Sequence, residues 1–170
     1  MDEYLAFCHE TWGHVHDSYI IHRPPPADSD PRHWSKEVLR ECADGATNPA
    51  YATGSWVNHE RFWAFSGNRM IAALDFRRRL TPRMELYGGH WGIAVRPSER
   101  GRGWSTKLLP HLLEASAARG VPEILLTTKA ENLAARQGLE HSSLLVKKDE
   151  IPVTLNGVAE TSCRYWLRLS

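Results

Sequence analysis

The chain has 170 residues, 42% of them hydrophobic, and a formal net charge of +1, enough for one domain with a real core, so a single domain over residues 1–170 is expected. Near-neutral charge gives no global pull toward nucleic acid or anionic lipid, no apolar run approaches the ~18 residues of a helical span, and the start lacks the features of a secretory leader. A soluble, cytoplasmic protein with neither nucleic-acid nor membrane partners is the expectation.

Cys8, Cys42 and Cys163 are odd in number and scattered, which predicts reduced thiols and neither a disulfide framework nor a cysteine-built metal site. His9, His14 and His16 cluster near the start, but His14 and His16 would point to different faces of a helix, so no metal is expected.

In chain order, Leu5, Phe7, Cys8, Trp12 and Val15 fall near helical spacing and predict a first amphipathic helix over residues 2–16. The proline-rich stretch 23–31 reads as a loop, followed by a second helix over 31–42 that ends at Asp44-Gly45. Residues 60–65 and 70–76 around Ser66-Gly67-Asn68 predict a β-hairpin. A further strand is expected to end near Tyr87 or to resume over 91–95 after Gly88-Gly89.

Leu108, Leu109, Leu112 and Leu113 make a helical stripe between Trp104 and Gly120, with Pro110 expected to bend that helix. Strand 124–128, a helix from Asn132 to about His141 and closing strands over 144–147 and 163–169 complete the pattern. Helices, a β-meander and then alternating strands and helices predict an α/β domain with a mixed sheet covered by helices.

The segment richest in chemistry runs from Gly88-Gly89-His90 through Val95-Arg96-Pro97-Ser98-Glu99 to Arg100-Gly101-Arg102-Gly103-Trp104-Ser105. It reads as strand, glycine-rich basic loop and helix start. Free amides and the positive end of the helix dipole suit such a junction to a phosphate group, and Gly101 and Gly103 let the main chain curl close around it. Arg100 and Arg102 add charge and directed donors. A Walker loop is excluded because the G-x-x-x-x-G-K-[ST] pattern is missing, and a dinucleotide fingerprint is excluded because Thr106 stands where its third glycine belongs.

The remaining pattern, R-x-x-G-x-[GA] after a V-R-P strand end, resembles the acetyl-CoA pyrophosphate loop of the GNAT superfamily of N-acetyltransferases, and the likeness runs from about Trp56 to Leu169. Gly-Gly-His followed by Val95 to Arg100 resembles one bacterial branch of these enzymes. The resemblance implies a mixed, mostly antiparallel sheet with a parallel pair at the coenzyme site and flanking helices. It implies acetyl-CoA as co-substrate, with no metal, and allows a homodimer. Residues Arg100, Gly101, Arg102, Gly103, Trp104 and Ser105 would hold the pyrophosphate, the backbone of Ile93, Ala94 and Val95 would pair with the pantetheine arm, and Asn132 would contact the same arm. Three features depart from the family pattern. Ser105 takes a Gly/Ala position, Leu139 stands where many members carry a thiolate-protonating tyrosine, and no sequence remains for the family's first β-strand.

The implied reaction is direct attack of a primary amine, from a small molecule or a peptide, on the thioester within a ternary complex. A lysine-like amine has a pKa of about 10.4, so about one molecule in a few thousand is neutral at pH 7 and a base is useful. His90, Glu85 and Asp75, in that order, are the candidate bases, and an amide from the 93–95 region would receive the oxyanion. Ser142, Ser143, Tyr165 or water would protonate the thiolate. Tyr51, Trp56 and Trp91 are candidates for an acceptor pocket, and Arg77-Arg78-Arg79 with Arg83 forms a basic turn. A non-catalytic acyl-CoA sensor of the same fold is the alternative reading, motivated by Leu139. A nucleic-acid module built on Arg-Gly-Arg-Gly is disfavoured by the near-neutral charge.

Overall fold

A computed structural model describes residues 2–11, 57–155 and 157–169. The expected loop 23–31 and helix 31–42, together with His14, His16, Cys42, Tyr51 and Trp56, lie outside them.

The described elements run α1 (Asp2–Thr11), β1 (Glu60–Ser66), β2 (Arg69–Phe76), α2 (Pro82–Leu86), β3 (Trp91–Val95), a 3-10 turn (Pro97–Glu99), α3 (Trp104–Ala117), β4 (Glu123–Lys129), α4 (Leu133–Glu140), β5 (Leu145–Leu155) and β6 (Val158–Arg168). The β1–β2 hairpin pairs Ser66 with Arg69 around Gly67, whose φ of 57° is the left-handed conformation a two-residue hairpin turn favours. Where a strand was expected to end near Tyr87, the chain forms α2 instead. Thr81 caps it by accepting the Met84 amide at 3.2 Å, and Pro82 supplies the fixed φ of a first helical residue.

The strands form two three-stranded antiparallel sheets, β1-β2-β3 and β4-β6-β5. Both sheets share one core. Ala72, Leu74 and Phe76 of β2, Leu109, Leu112 and Leu113 of α3, Ile124 and Leu126 of β4, and Tyr165 and Leu167 of β6 are buried together. Leu109, Leu112 and Leu113 of α3 pack with side chains of both sheets in that core, and burying each large apolar side chain contributes about 1.5–3 kcal/mol. On the opposite face, Phe7 and Cys8 of α1 pack against Met70, Ala73 and Ala94. Ala73 opposite Ala72, Leu74 and Phe76 follows from the strand period of two, and Met70 falls out of step because the β1–β2 register shifts between Ala64 and Phe65 and skips Ile71.

Two glycines record close approaches. A Cβ on Gly89 would sit 2.4 Å from the Leu125 carbonyl oxygen, and one on Gly138 would sit 2.6 Å from Thr106 Oγ1. The second explains a glycine inside α4, because α4 lies directly on α3. Trp91, a candidate pocket residue, belongs to the core. Its ring packs 4.8 Å from Phe76 and 5.3 Å from Phe62, and its indole N–H donates to Ser116 at 2.8 Å. Arg77 of the expected basic turn is also buried, its guanidinium reaching the carbonyl oxygens of Gly88 and Gly89 at 3.4 and 3.2 Å.

Candidate functional site

The register of β3 decides which of its backbone groups are free. Arg96 N–H donates to Ile71 and Arg77 N–H to His90 O, so the residues of β3 that exchange bonds with β2 are the even ones, Gly92 and Ala94. The amides and carbonyls of Ile93 and Val95 therefore point to the other edge, and no ladder among the described residues covers them. Ala94 presents no backbone group there, because both of its groups face β2 and its side chain is buried. The corresponding argument on β4, whose end pairs through Ala130 N–H to Thr161 O, puts the backbone of Thr127 and Lys129 on the edge away from β6.

The two edges meet at one point. His90, immediately before β3, donates its N–H to Leu125 O at 2.8 Å, and its Nδ1 accepts the Leu125 N–H at 2.9 Å. Beyond that contact no ladder joins β3 to β4, so the expected parallel pair reduces to this junction. The segment preceding it lies over the second sheet. Gly88 N–H donates to Thr127 Oγ1 at 2.7 Å, Ser162 Oγ donates to Leu86 O at 2.6 Å, and Arg164 reaches Glu85 O at 3.3 Å.

At the far end of β3 the chain turns into α3 through the glycine-rich loop. Gly101 and Gly103 both take φ 74°, and a Cβ at either would meet nothing within 4 Å, so the loop is open on its outer side. Gly103 is the N-cap of α3 and gives no side-chain cap, and the first bond back to it comes from Lys107 N–H. The amides of Trp104, Ser105 and Thr106 thus lack helical partners and share the positive end of a 14-residue helix dipole. This arrangement fits a pyrophosphate.

Glu99 holds the loop closed at its base. Its buried carboxylate accepts from Arg69 Nε at 2.9 Å and from Trp104 Nε1 at 3.2 Å, with Arg102 Nη1 at 3.1 Å. Burial pushes this carboxyl upward, but the bonds from Trp104 and Arg69 outweigh it and keep it below the ordinary range. Arg100 Nε donates to Val95 O at 3.1 Å. A second clamp ties β3 to α1. Buried Arg96 pairs with Glu3 and Glu10, and Glu10 also accepts the Ser98 amide at 2.6 Å.

The candidate bases have separate fates. His90 is half-buried and has its Nδ1 lone pair occupied by the Leu125 amide, so its proton resides on Nε2. Burial, with Arg77 nearby, lowers its pKa. In that arrangement neither ring nitrogen holds a free lone pair with which to take a proton. Asp75 is bound in a buried bidentate pair with Arg61. Glu85 lies exposed on α2, and no hydrogen bond or ion pair among the described residues takes up its carboxylate. Asn132 caps α4 by accepting the Ala135 amide at 3.2 Å, and Leu139 is in the core. Tyr165 is buried and donates to Glu140 at 2.9 Å, with burial and that carboxylate raising its pKa. Its proton is therefore held away from solvent.

Sequence reading missed Leu125, Thr127, Glu99 and the Glu3–Arg96–Glu10 clamp. Two acids seven residues apart on an amphipathic helix, Glu3 and Glu10, were the available signal for the last. Among the described residues no group of three or more His, Cys, Asp or Glu side chains could hold a metal, and no helix is long and apolar enough to cross a membrane.

A family model described as the acetyltransferase (GNAT) family matches residues 15–140. An L-2,4-diaminobutyric acid acetyltransferase of Nocardia farcinica (strain IFM 10152) is 32% identical over 108 residues, covering 58% of this chain and 53% of the relative. The chain thus spans about half the length of that curated relative. A spermidine N-acetyltransferase from Vibrio cholerae in complex with CoA and spermine superposes with a TM-score of 0.59 at 15% identity, covering 96% of this chain and 89% of that one. A ribosomal L7/L12 alpha-N-protein acetyltransferase in complex with coenzyme A gives a TM-score of 0.59 at 14% identity, covering 98% and 86%. At these identities the structural likeness is one of fold.

Proposed function

The chain belongs to the acetyltransferase (GNAT) family, and from that premise we propose that it transfers the acetyl group of acetyl-CoA directly to a primary amine in a ternary complex. The observation that carries the reading is continuous: a strand edge whose Ile93 groups and Val95 amide face away from β2, with the Val95 carbonyl accepting from Arg100, leads straight into the uncapped amides at the start of α3. An acyl-pantetheine arm could pair with that edge while its pyrophosphate sits on Trp104, Ser105 and Thr106, with Arg100 and Arg102 turning to it. Asn132, at the start of α4, is proposed to face the same arm.

The chain's own groups supply three parts of the chemistry. An edge amide, from Ile93 or Val95, is the donor for the oxyanion that forms as nitrogen attacks the thioester carbonyl. Glu85, acting through water, is the proposed base that takes the ammonium proton. The thiolate leaves without a dedicated acid, which a thiol of pKa about 8.5 tolerates. The curated relative's name makes small diamines and diamino acids the first acceptors to assay. In the test, purified protein is given acetyl-CoA with a panel of such amines and free thiol is followed. Amine-dependent release supports transfer, and coenzyme binding with no release from any amine favours the sensor reading that buried Leu139 motivates.

A further inference from the structure

We infer that His90 is a positioning residue that fixes where β3 and β4 part, and that it acts through the Nδ1 lone pair, without taking a proton from the acceptor. An edge strand normally satisfies its backbone by pairing with a neighbouring strand. At Leu125 a single residue replaces that neighbour: the His90 main chain donates to the Leu125 carbonyl and the His90 ring accepts from the Leu125 amide. The His90 carbonyl meanwhile accepts Arg77 N–H at 2.7 Å. His90 is therefore bonded to both sheets at once, through Arg77 on one side and Leu125 on the other.

The lock also ends the pairing. Once the side chain has bonded the Leu125 amide, β3 sets off from Trp91 without a ladder to β4 among the described residues, and the next outward-facing groups on each edge, those of Ile93 and the Val95 amide on one side and Thr127 on the other, are left for a ligand, the Val95 carbonyl being held by Arg100. The neighbouring residues are built for this approach. Gly89 has no room for a Cβ against the Leu125 carbonyl, and Gly88 N–H holds Thr127 Oγ1. A chain with ordinary residues here could not bring His90 against β4.

The role predicts which substitutes work. In asparagine, Oδ1 stands two bonds from Cβ, as Nδ1 does in histidine, and accepts the same amide; in glutamine the acceptor lies one bond too far. The effect on coenzyme rests on the acetyl-CoA reading above, whereas the tautomer does not. The first measurement is therefore nitrogen NMR of the imidazole in the full wild-type chain at about pH 7.5, where a neutral ring protonated on Nε2 is expected. A proton on Nδ1 overturns the inference whatever the protein binds.

The second measurement is calorimetric titration of CoA into wild type, His90→Ala, His90→Asn and His90→Gln, with amine-dependent thiol release as a companion. Loss of a buried bond that shapes the cleft should weaken CoA about tenfold in His90→Ala and His90→Gln, with His90→Asn restored to within about threefold. Equal affinity in all four overturns the inference. So does an His90→Asn variant that binds CoA normally yet loses about a hundredfold or more in turnover, the signature of a missing base. A wild type that binds no CoA defeats the acetyl-transfer reading, and the tautomer still decides the role of His90.

Discussion

Arg61 and Asp75 face each other across the β1–β2 hairpin, with Nε 2.8 Å from Oδ1 and Nη2 3.0 Å from Oδ2, and each side chain only 2% exposed. A carboxylate so held is part of the fold, because its proton-accepting oxygens are already taken by a permanent cation.

Replacing Asp75 by Ala should therefore lower stability steeply and leave the cleft chemistry untouched at temperatures where the protein stays folded. Removing one partner of a buried pair costs about 3–5 kcal/mol, since the other charge is stranded. Urea denaturation measures it, and a cost below about 1 kcal/mol would contradict the buried pair.

Gly67 and Gly89 have nearly the same backbone conformation, φ 57° and 63°, in different surroundings. A Cβ on Gly67 meets nothing, whereas one on Gly89 meets the Leu125 carbonyl at 2.4 Å. Gly67→Ala should cost about 1–2 kcal/mol for its left-handed backbone alone. Gly89→Ala should cost a further 1–3 kcal/mol or so from overpacking and weaken the junction with β4. Paired unfolding curves test the difference, and equal costs would remove the close approach.

Much of this architecture was legible from spacing. The hairpin around Gly67, the leucine stripe of α3 and the strands bordering α4 follow the periodicities that place side chains in one core. Of the two placements open for the third strand, the one over 91–95 after Gly88-Gly89 holds, and residues 82–86 before it form α2, for which Thr81-Pro82 is an N-cap followed by a first-turn proline. The glycine-rich loop could be found in the sequence because glycine, arginine and a helix start are local signals. The roles of His90 and Asp75 could not, because their partners, Leu125 and Arg61, are 35 and 14 residues away and act through geometry. Trp91 has the composition of a pocket residue and the environment of a core one.

Acid should loosen α1 from the cleft. The Glu10 carboxyl is pushed up by burial but pulled further down by bonds from Ser98 and Arg96, to about 2 against an ordinary 4.5. Its folded pKa lies below the unfolded one, so the folded state binds fewer protons in between. The stabilisation is complete above 4.5 and is lost as pH falls toward 2. Melting temperature should fall more steeply between about pH 5 and pH 3 in wild type than in Glu10→Gln. Parallel curves would show that the clamp on Arg96 and Ser98 does not form.

His90 adds a separate step at higher pH. Burial places its pKa below the ordinary 6.5, with Arg77, just past the end of β2, acting in the same direction. A ring that must stay neutral to accept the Leu125 amide destabilises the fold on protonation, so stability is full above 6.5 and declines as pH falls through the lowered value. His59, likewise lowered by burial, adds a decline of the same sign, so His90→Asn should make the fall in melting temperature from about pH 8 to pH 5 shallower than in wild type, leaving the His59 and Glu10 steps in place. A slope unchanged by the substitution would assign the whole decline to His59 or another group.

The central claim is that the uncapped amides following Gly103 grip the coenzyme's diphosphate, and calorimetric titration of CoA into wild type and Gly103→Val tests it most directly. A side chain at φ 74° strains the turn that presents the amides by about 1–2 kcal/mol and takes up open space at the loop. The account predicts saturable one-site binding to wild type and binding at least about tenfold weaker to a variant that remains folded, as its melting curve would show. Unchanged affinity in Gly103→Val, or no binding to wild type, would contradict it.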